Sequence, residues 1–91
     1  MISPDSKPHY LAPYSEIRGI TTSITDEDPV KISIESRRSY HLEIPKKEIY
    51  LIIQDPEIDQ QDFTLDKLHG REISVFRTEN DYRLLVKGGE N

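Results

Sequence analysis

The chain has 91 residues and a mass of 10.6 kDa, which suits one small domain with a single core. Twelve isoleucines against one alanine exclude a helical bundle and predict strands, because β-branched side chains pack well on a pleated sheet. The absence of cysteine excludes disulfides and thiolate metal sites, and the net charge of −5 disfavours strong nonspecific binding to nucleic acid.

The sequence predicts neither a membrane span nor a secretory signal. The longest apolar run, Ile49–Ile53, is far shorter than the roughly 18 residues that a membrane span requires. Residues 1–5 lack the basic start and apolar core of a secretory signal. We therefore expect a cytoplasmic protein with no membrane partner.

Residues 1–16 are predicted to form an extended arm, because three prolines fix the backbone of this segment. Two aromatic side chains, Tyr10 and Tyr14, lie between or after these prolines. Three alternatives stay open: a disordered tail, an arm packed on its own barrel, and an arm that docks on a partner. In the third alternative Tyr10 and Tyr14 are partner-binding residues.

Residues 17–53 are predicted to contain four strands. In the first, Ile20, Thr22 and Ile24 are expected on one face, and Gly19 suggests a bulge or a bend. The next two strands alternate strictly between apolar and polar residues and should pair as a hairpin. The fourth does not alternate, which is typical of a central strand covered on both faces. The expected bounds are Ile17–Thr25, Val30–Glu35, Ser39–Ile44 and Ile49–Ile53.

Beyond the fourth strand, Asp55 and Pro56 have the form of a helix start, so a short helix or two helical turns is expected over about 56–68. Gly70 is placed to end it. A last hairpin should pair Glu72–Arg77 with Tyr82–Lys87.

These elements predict a mainly β domain over residues 17–87, followed by a tail at 88–91 that should fray. The expected architecture is a small antiparallel barrel of five or six strands with one short helix before the C-terminal hairpin. The element order is OB-like, and an SH3-like barrel is the alternative.

The three histidines, His9, His41 and His69, have no serine or carboxylate at a spacing that suggests a catalytic triad. The chain also lacks the short motifs of hydrolases, metalloproteases and phosphate-binding loops. We therefore expect a protein that is not an enzyme. His41, on the outward face of a strand, is interpreted as a solvated residue.

A metal site is not expected either. Four acids occupy positions of a calcium-binding loop, but Gln60 stands where the sharp turn of such a loop needs glycine. We interpret these acids as a helix cap and the solvated face of a helix, and we expect neither a metal nor a cofactor. The acids are Asp55, Glu57, Asp59 and Asp66.

A cluster of cations gives one functional hypothesis. Arg37 and Arg38 are expected at the tip of the first hairpin, with Lys46 and Lys47 at the next corner. These side chains could contact the phosphates of a single strand of nucleic acid or the carboxylates of a protein, or they could form solvated turns. Single-stranded nucleic-acid binding is the second choice among the functions.

The last hairpin gives the preferred hypothesis. Phe76 and Leu85 fall on the face that should be polar in a sheet with one solvent-exposed side. Arg83 is expected opposite Phe76, close enough for a cation–π pair. Tyr50 and Ile52 are candidates for the same patch. Three alternatives stay open: the N-terminal arm covers this patch, a partner covers it, or it stays exposed.

We therefore predict a non-catalytic module that binds another protein through an acidic-rimmed apolar face. Such a module would act as an accessory subunit, an adaptor or an inhibitor, and it could be a subunit of a larger complex. Isoleucine-rich strands also offer edges that could pair between copies, so a homo-oligomer is a further expectation.

Overall fold

A computed structural model describes residues 11–87, so Tyr10, most of the predicted arm and the tail at 88–91 lie outside the described residues. Six strands and two short 3-10 helices form along this part of the chain. The strands are β1 (Glu16–Thr25), β2 (Val30–Glu35), β3 (Ser39–Ile44), β4 (Ile49–Ile53), β5 (Glu72–Arg77) and β6 (Tyr82–Val86), and the 3-10 helices are Lys46–Glu48 and Leu65–Leu68.

The strands form one mixed sheet in the order β3-β2-β1-β5-β6-β4, which confirms the mainly β class. All neighbours are antiparallel except β4 and β6, which run parallel. The sheet is not closed into a barrel, and its two edge strands, β3 and β4, are consecutive in the chain. Residues 45–48 therefore connect one edge of the sheet to the other.

The first predicted hairpin is confirmed residue by residue. Val30 pairs with Ile44 and Ile34 pairs with Tyr40. Val30, Ile32 and Ile34 are buried, while the residues between them are exposed or half-buried. This strict alternation sets the register, because a slip by one residue would turn the whole apolar row towards water.

The predicted faces of β1 are wrong. Ile20 is 44% exposed, whereas Ile17 and Thr21 are buried. The register between β1 and β2 shifts between Thr21 and Ser23, so the bulge lies beyond Gly19 rather than at it. The extra residue allows both Thr21 and Ile24 to face the core, which plain alternation would forbid.

The predicted central strand, β4, is an edge strand. It pairs with β6 alone among the strands of residues 11–87, and its exposure alternates. Tyr50 is 55% exposed and Ile52 is 40% exposed, while Leu51 and Ile53 pack against the core. The apolar side chains on its second face therefore remain open to solvent in the described part of the protein.

The helical segment predicted over 56–68 is present only as the 3-10 turn Leu65–Leu68, and residues 56–64 form no helix. Asp55 and Asp59 accept hydrogen bonds from the backbone N–H groups two residues ahead, at 2.9 and 3.0 Å. Such local bonds compete with helix formation. Gly70 ends the segment with φ of 82°, in the left-handed region, as the sequence predicted.

The core lies on the inner face of the sheet, and Leu68 from the second 3-10 helix completes it. Within residues 11–87, no helix is long and apolar enough to cross a membrane. The buried apolar side chains are Leu11, Ile17, Val30, Ile32, Ile34, Leu42, Ile44, Leu68, Ile73, Val75, Leu84 and Val86.

Thr21 carries the one buried side-chain oxygen of the described residues that has no hydrogen-bond partner. We expect Thr21→Val to stabilise the domain by about 1 kcal/mol, because valine has the same shape and removes the unpaired hydroxyl. Urea unfolding of both proteins measures the difference, and Thr21→Ser, which keeps the hydroxyl, is the control. A destabilised valine variant would show that the hydroxyl is satisfied.

Candidate protein-binding face

Strand pairing aligns the outward side chains of β1, β5, β6 and β4 in cross-strand rows, because directly opposed residues share a face of the sheet. Each row takes one residue from each strand. The first row is Glu16, Phe76, Arg83 and Tyr50, and the second row is Arg18, Ser74, Leu85 and Ile52.

Five apolar residues on these strands point away from the core, and we call them the outer apolar face. Ile20 (44%), Tyr50 (55%) and Ile52 (40%) are exposed. Phe76 and Leu85 are half-buried beside them. Water-facing positions of a sheet are usually polar, so the apolar side chains at these positions make this side of the sheet a candidate interaction surface. The outer apolar face consists of Ile20, Tyr50, Ile52, Phe76 and Leu85.

Charged side chains interleave with the outer apolar face. Arg18 Nε donates to Ser74 Oγ at 3.3 Å, and Ser74 is fully buried although it lies on the outward side. Arg83 Nε lies 3.6 Å from Asp81 Oδ1. Glu16 and Glu72 are exposed. The face therefore presents apolar surface together with charges of both signs.

Arg83 lies opposite Phe76, as the sequence predicted. The cation–π contact found among the described residues is a different one. Arg77 stands over the ring of Tyr82, 5.3 Å from its centroid. Arg77 and Tyr82 form the next opposed pair along the hairpin, on the inward side of the sheet.

Tyr14 lies beside the Phe76 end of the face. Its backbone N–H donates to the Arg77 carbonyl at 2.5 Å, and Arg77 N–H donates to the Ser15 carbonyl at 3.0 Å. Tyr14 has φ of 67° and its side chain is 67% exposed. Leu11 is only 7% exposed, and its carbonyl accepts a hydrogen bond from Arg77 Nη1 at 2.6 Å.

The four predicted cations are not brought together. Arg37 and Arg38 are exposed at the tip of the β2–β3 hairpin, and Lys46 and Lys47 follow its opposite end. Because β3 separates the two pairs, they lie about 20 Å apart.

Lys46 is bound within the chain. Its Nζ lies 2.8 Å from Asp26 Oδ1, and its backbone N–H donates to Asp28 Oδ1 at 3.1 Å. The hydrogen bond to Asp26 and the negative charge of that carboxylate raise the pKa of Lys46 above its ordinary value. Lys46 is therefore charged at neutral pH and paired with Asp26, although its side chain is exposed, and Lys47 beside it is exposed as well.

Sequence analysis missed a contact between Ser33 Oγ and His41 Nδ1, which are 2.9 Å apart. Both side chains point outward and lie opposite each other in the hairpin. The register that pairs Val30 with Ile44 also pairs Ser33 with His41, so the hairpin pattern contained the signal. A depression of about 250 Å³ surrounds the pair, lined by Ser23, Thr25, Lys31, Ile32, Ser33, His41, Leu42 and Glu43.

Two carboxylates of the acidic segment after β4 bind other side chains of the same chain. Asp55 Oδ2 lies 3.7 Å from Arg71 Nη1, and Asp66 accepts a hydrogen bond from Thr64 Oγ1. Over residues 11–87, no group of three or more histidines and acids is placed to hold a metal ion. Lys67 and Arg71 also line the open cavity of about 580 Å³ beside this segment.

The sequence matches no protein-family model, and comparison with curated proteins and with solved structures finds no significant similarity. What the outer apolar face can do is therefore inferred from its own side chains.

Proposed function

We propose that the protein is a non-catalytic binding module, a cytoplasmic accessory subunit, adaptor or inhibitor that docks on another protein. The outer apolar face is the docking surface, with Phe76, Leu85 and Arg83 at its centre and Tyr14 beside it. The observation that carries the proposal is the alignment of Tyr50 and Ile52 with Arg83 and Leu85 across β4 and β6. Strands distant in sequence thereby contribute to one apolar surface.

The composition of this surface fits a protein partner. Aromatic and arginine side chains supply most of the binding energy at protein interfaces, and Tyr50, Phe76 and Arg83 lie in one row of the face. The segment that begins just after β4 is acidic, with Asp55 and Glu57 among its carboxylates. Their charge would steer a basic partner towards the neighbouring face.

We also propose that the fold is an OB-like barrel opened at residues 45–48. The support comes from the strand order, since β3 and β4 would form one long strand if these residues did not interrupt it. The parallel pairing of β4 with β6 would then close a five-stranded barrel. An SH3-like arrangement is the alternative. Backbone NOEs in solution test this proposal. NOEs that continue one strand over 39–53 would support the OB-like barrel, and NOEs that keep β3 and β4 as two separate edges would contradict it.

Affinity capture tests the proposed function. The tagged protein is expected to recover a stoichiometric partner from a lysate of its own source, and Arg37→Asp, which changes no residue of the outer apolar face, should recover the same partner. Recovery of no stoichiometric protein would contradict the proposal.

Single-stranded nucleic-acid binding is the second candidate. It is favoured by the exposure of Arg37, Arg38 and Lys47 and by the polar depression around His41, which lies on the strand between them. If this function is correct, Arg37→Ala/Arg38→Ala should weaken binding of an oligonucleotide, and affinity should fall steeply with salt. Fluorescence anisotropy at low and high salt measures both effects, and absence of binding at low salt excludes this function.

A further inference from the structure

We propose that β4 pairs edge to edge with β4 of a second copy of this chain, in an antiparallel arrangement about a twofold axis. The dimer goes beyond the proposed function, because it forms through the backbone edge of β4, and of the outer apolar face it would cover only Tyr50 and Ile52. It would join two six-stranded sheets through one central strand pair.

The β4 edge lacks the features that normally prevent strand pairing. Proteins protect edge strands with charges, prolines or bulges. The strand Ile49–Ile53 contains no charged residue and no proline, and its pairing with β6 is in unbroken register. The opposite edge, β3, carries His41 and Glu43 and follows directly on Arg37 and Arg38. Of the two edge strands, only β4 is therefore free of the residues that prevent pairing with another strand.

The β4 sequence is complementary to itself when two copies run antiparallel. With Leu51 on the twofold axis, Tyr50 lies opposite Ile52 of the second copy, and Ile49 lies opposite Ile53. Each of these pairs joins apolar side chains that share a face of the sheet. The exposed parts of Tyr50 (55%) and Ile52 (40%) would cover each other across the axis.

The charges that flank the two ends of β4 fit the antiparallel arrangement. Lys47 precedes the strand, and the acidic residues Asp55 and Glu57 follow it. In the antiparallel pair, the 3-10 turn that carries Lys47 in one copy lies at the same end as the acidic segment that carries Glu57 in the second copy. Lys47 and Glu57 are both exposed. The twofold axis repeats the attraction, so each dimer contains it twice.

Sedimentation equilibrium over a concentration series tests the dimer in the full chain. We expect the mass to rise from 10.6 kDa towards twice that value. Lys47→Glu should weaken the dimer about tenfold, because two attractive contacts become repulsive. The double variant Lys47→Glu/Glu57→Lys restores the charge pattern and the net charge, so it should dimerise within about threefold of the wild type.

Arg37→Glu is the matched control, because it makes the same charge change at the hairpin tip and should leave the dimer unaltered. A wild type that stays at 10.6 kDa up to millimolar concentration would overturn the proposal. So would a Lys47→Glu dimer as tight as the wild type, or a double variant that does not recover.

Hydrogen exchange gives a second measurement that does not depend on any variant. Amides of Ile49–Ile53 should exchange at least about tenfold more slowly at high protein concentration than at low concentration, while those of β3 should not change. Protection independent of concentration would contradict the dimer. Phe76→Asp, which should abolish partner docking, should leave the dimer intact, so failure of one proposal is distinguishable from failure of the other.

Discussion

Gly19→Ala is expected to destabilise the domain by about 3 kcal/mol, a large part of the stability of a domain this small. A Cβ at this position would lie 2.4 Å from the Glu35 carbonyl oxygen and 2.8 Å from Ile34 Cγ2. The first of these atoms belongs to the backbone of β2, the strand that pairs with β1. Relief therefore requires the two strands to separate near the bulge.

Gly70 provides the matched control for this experiment. It has φ of 82°, but no atom would lie within 4 Å of a Cβ at this position, so Gly70→Ala introduces backbone strain without a steric clash. We expect a loss of about 1 kcal/mol, and less for Gly70→Asn, because asparagine tolerates the left-handed region. Urea unfolding compares the variants. A Gly19→Ala loss no larger than that of Gly70→Ala would contradict the close approach of β1 and β2.

Phe76→Asp is expected to weaken partner binding at least about thirtyfold while the domain stays folded. An aromatic residue at the centre of an interface typically contributes about 2 kcal/mol or more, and a buried carboxylate in its place would add a desolvation cost. Phe76 is half-buried on the outward side, between Glu16 and Arg83. Its replacement therefore leaves the inner core intact, and Arg83 can pair with the new carboxylate.

The measurement is titration calorimetry with the captured partner, accompanied by circular dichroism of each variant. Tyr50→Asp supports the result without disturbing packing, since Tyr50 is 55% exposed, and it should also weaken binding. Arg37→Asp introduces a comparable charge at the hairpin tip and should bind as the wild type does. Equal affinity of Phe76→Asp and the wild type would place the interface elsewhere.

The two hairpins could be predicted from sequence because their signals are local. In β2 and β3 every second residue is apolar, and the short turn that joins the strands leaves one register that buries them together. The same applies to β5 and β6, where Ile73, Val75, Leu84 and Val86 are buried as the pattern indicates.

The errors concern features that depend on distant parts of the chain. A continuous apolar run such as Ile49–Ile53 does not reveal whether its second face is covered, and only the pairing with β6 makes β4 an edge. Residues 56–68 have a capping aspartate but lack helical spacing of their apolar side chains, so Ile58, Phe63 and Leu65 pack from irregular turns and a single 3-10 turn.

The candidate site was predictable only in part. The C-terminal hairpin places Phe76 and Leu85 on one face through its own alternation. The parallel alignment with β4 brings in Tyr50 and Ile52, and the pairing of β1 with β5 places Ile20 on the same side. Long-range pairing therefore completed a surface whose centre was already visible in the sequence.

Site-specific photo-crosslinking in the source cells tests the central claim most directly. A photoreactive phenylalanine analogue replaces Ile20, which is exposed on the outer apolar face and lies on β1, away from the β4 edge. The same analogue at Lys31, on the outward face of β2, is the control. We expect the Ile20 position to yield a defined adduct with another protein and the Lys31 position to yield none. No adduct at Ile20, or the same adduct from both positions, would contradict a docking function for this face.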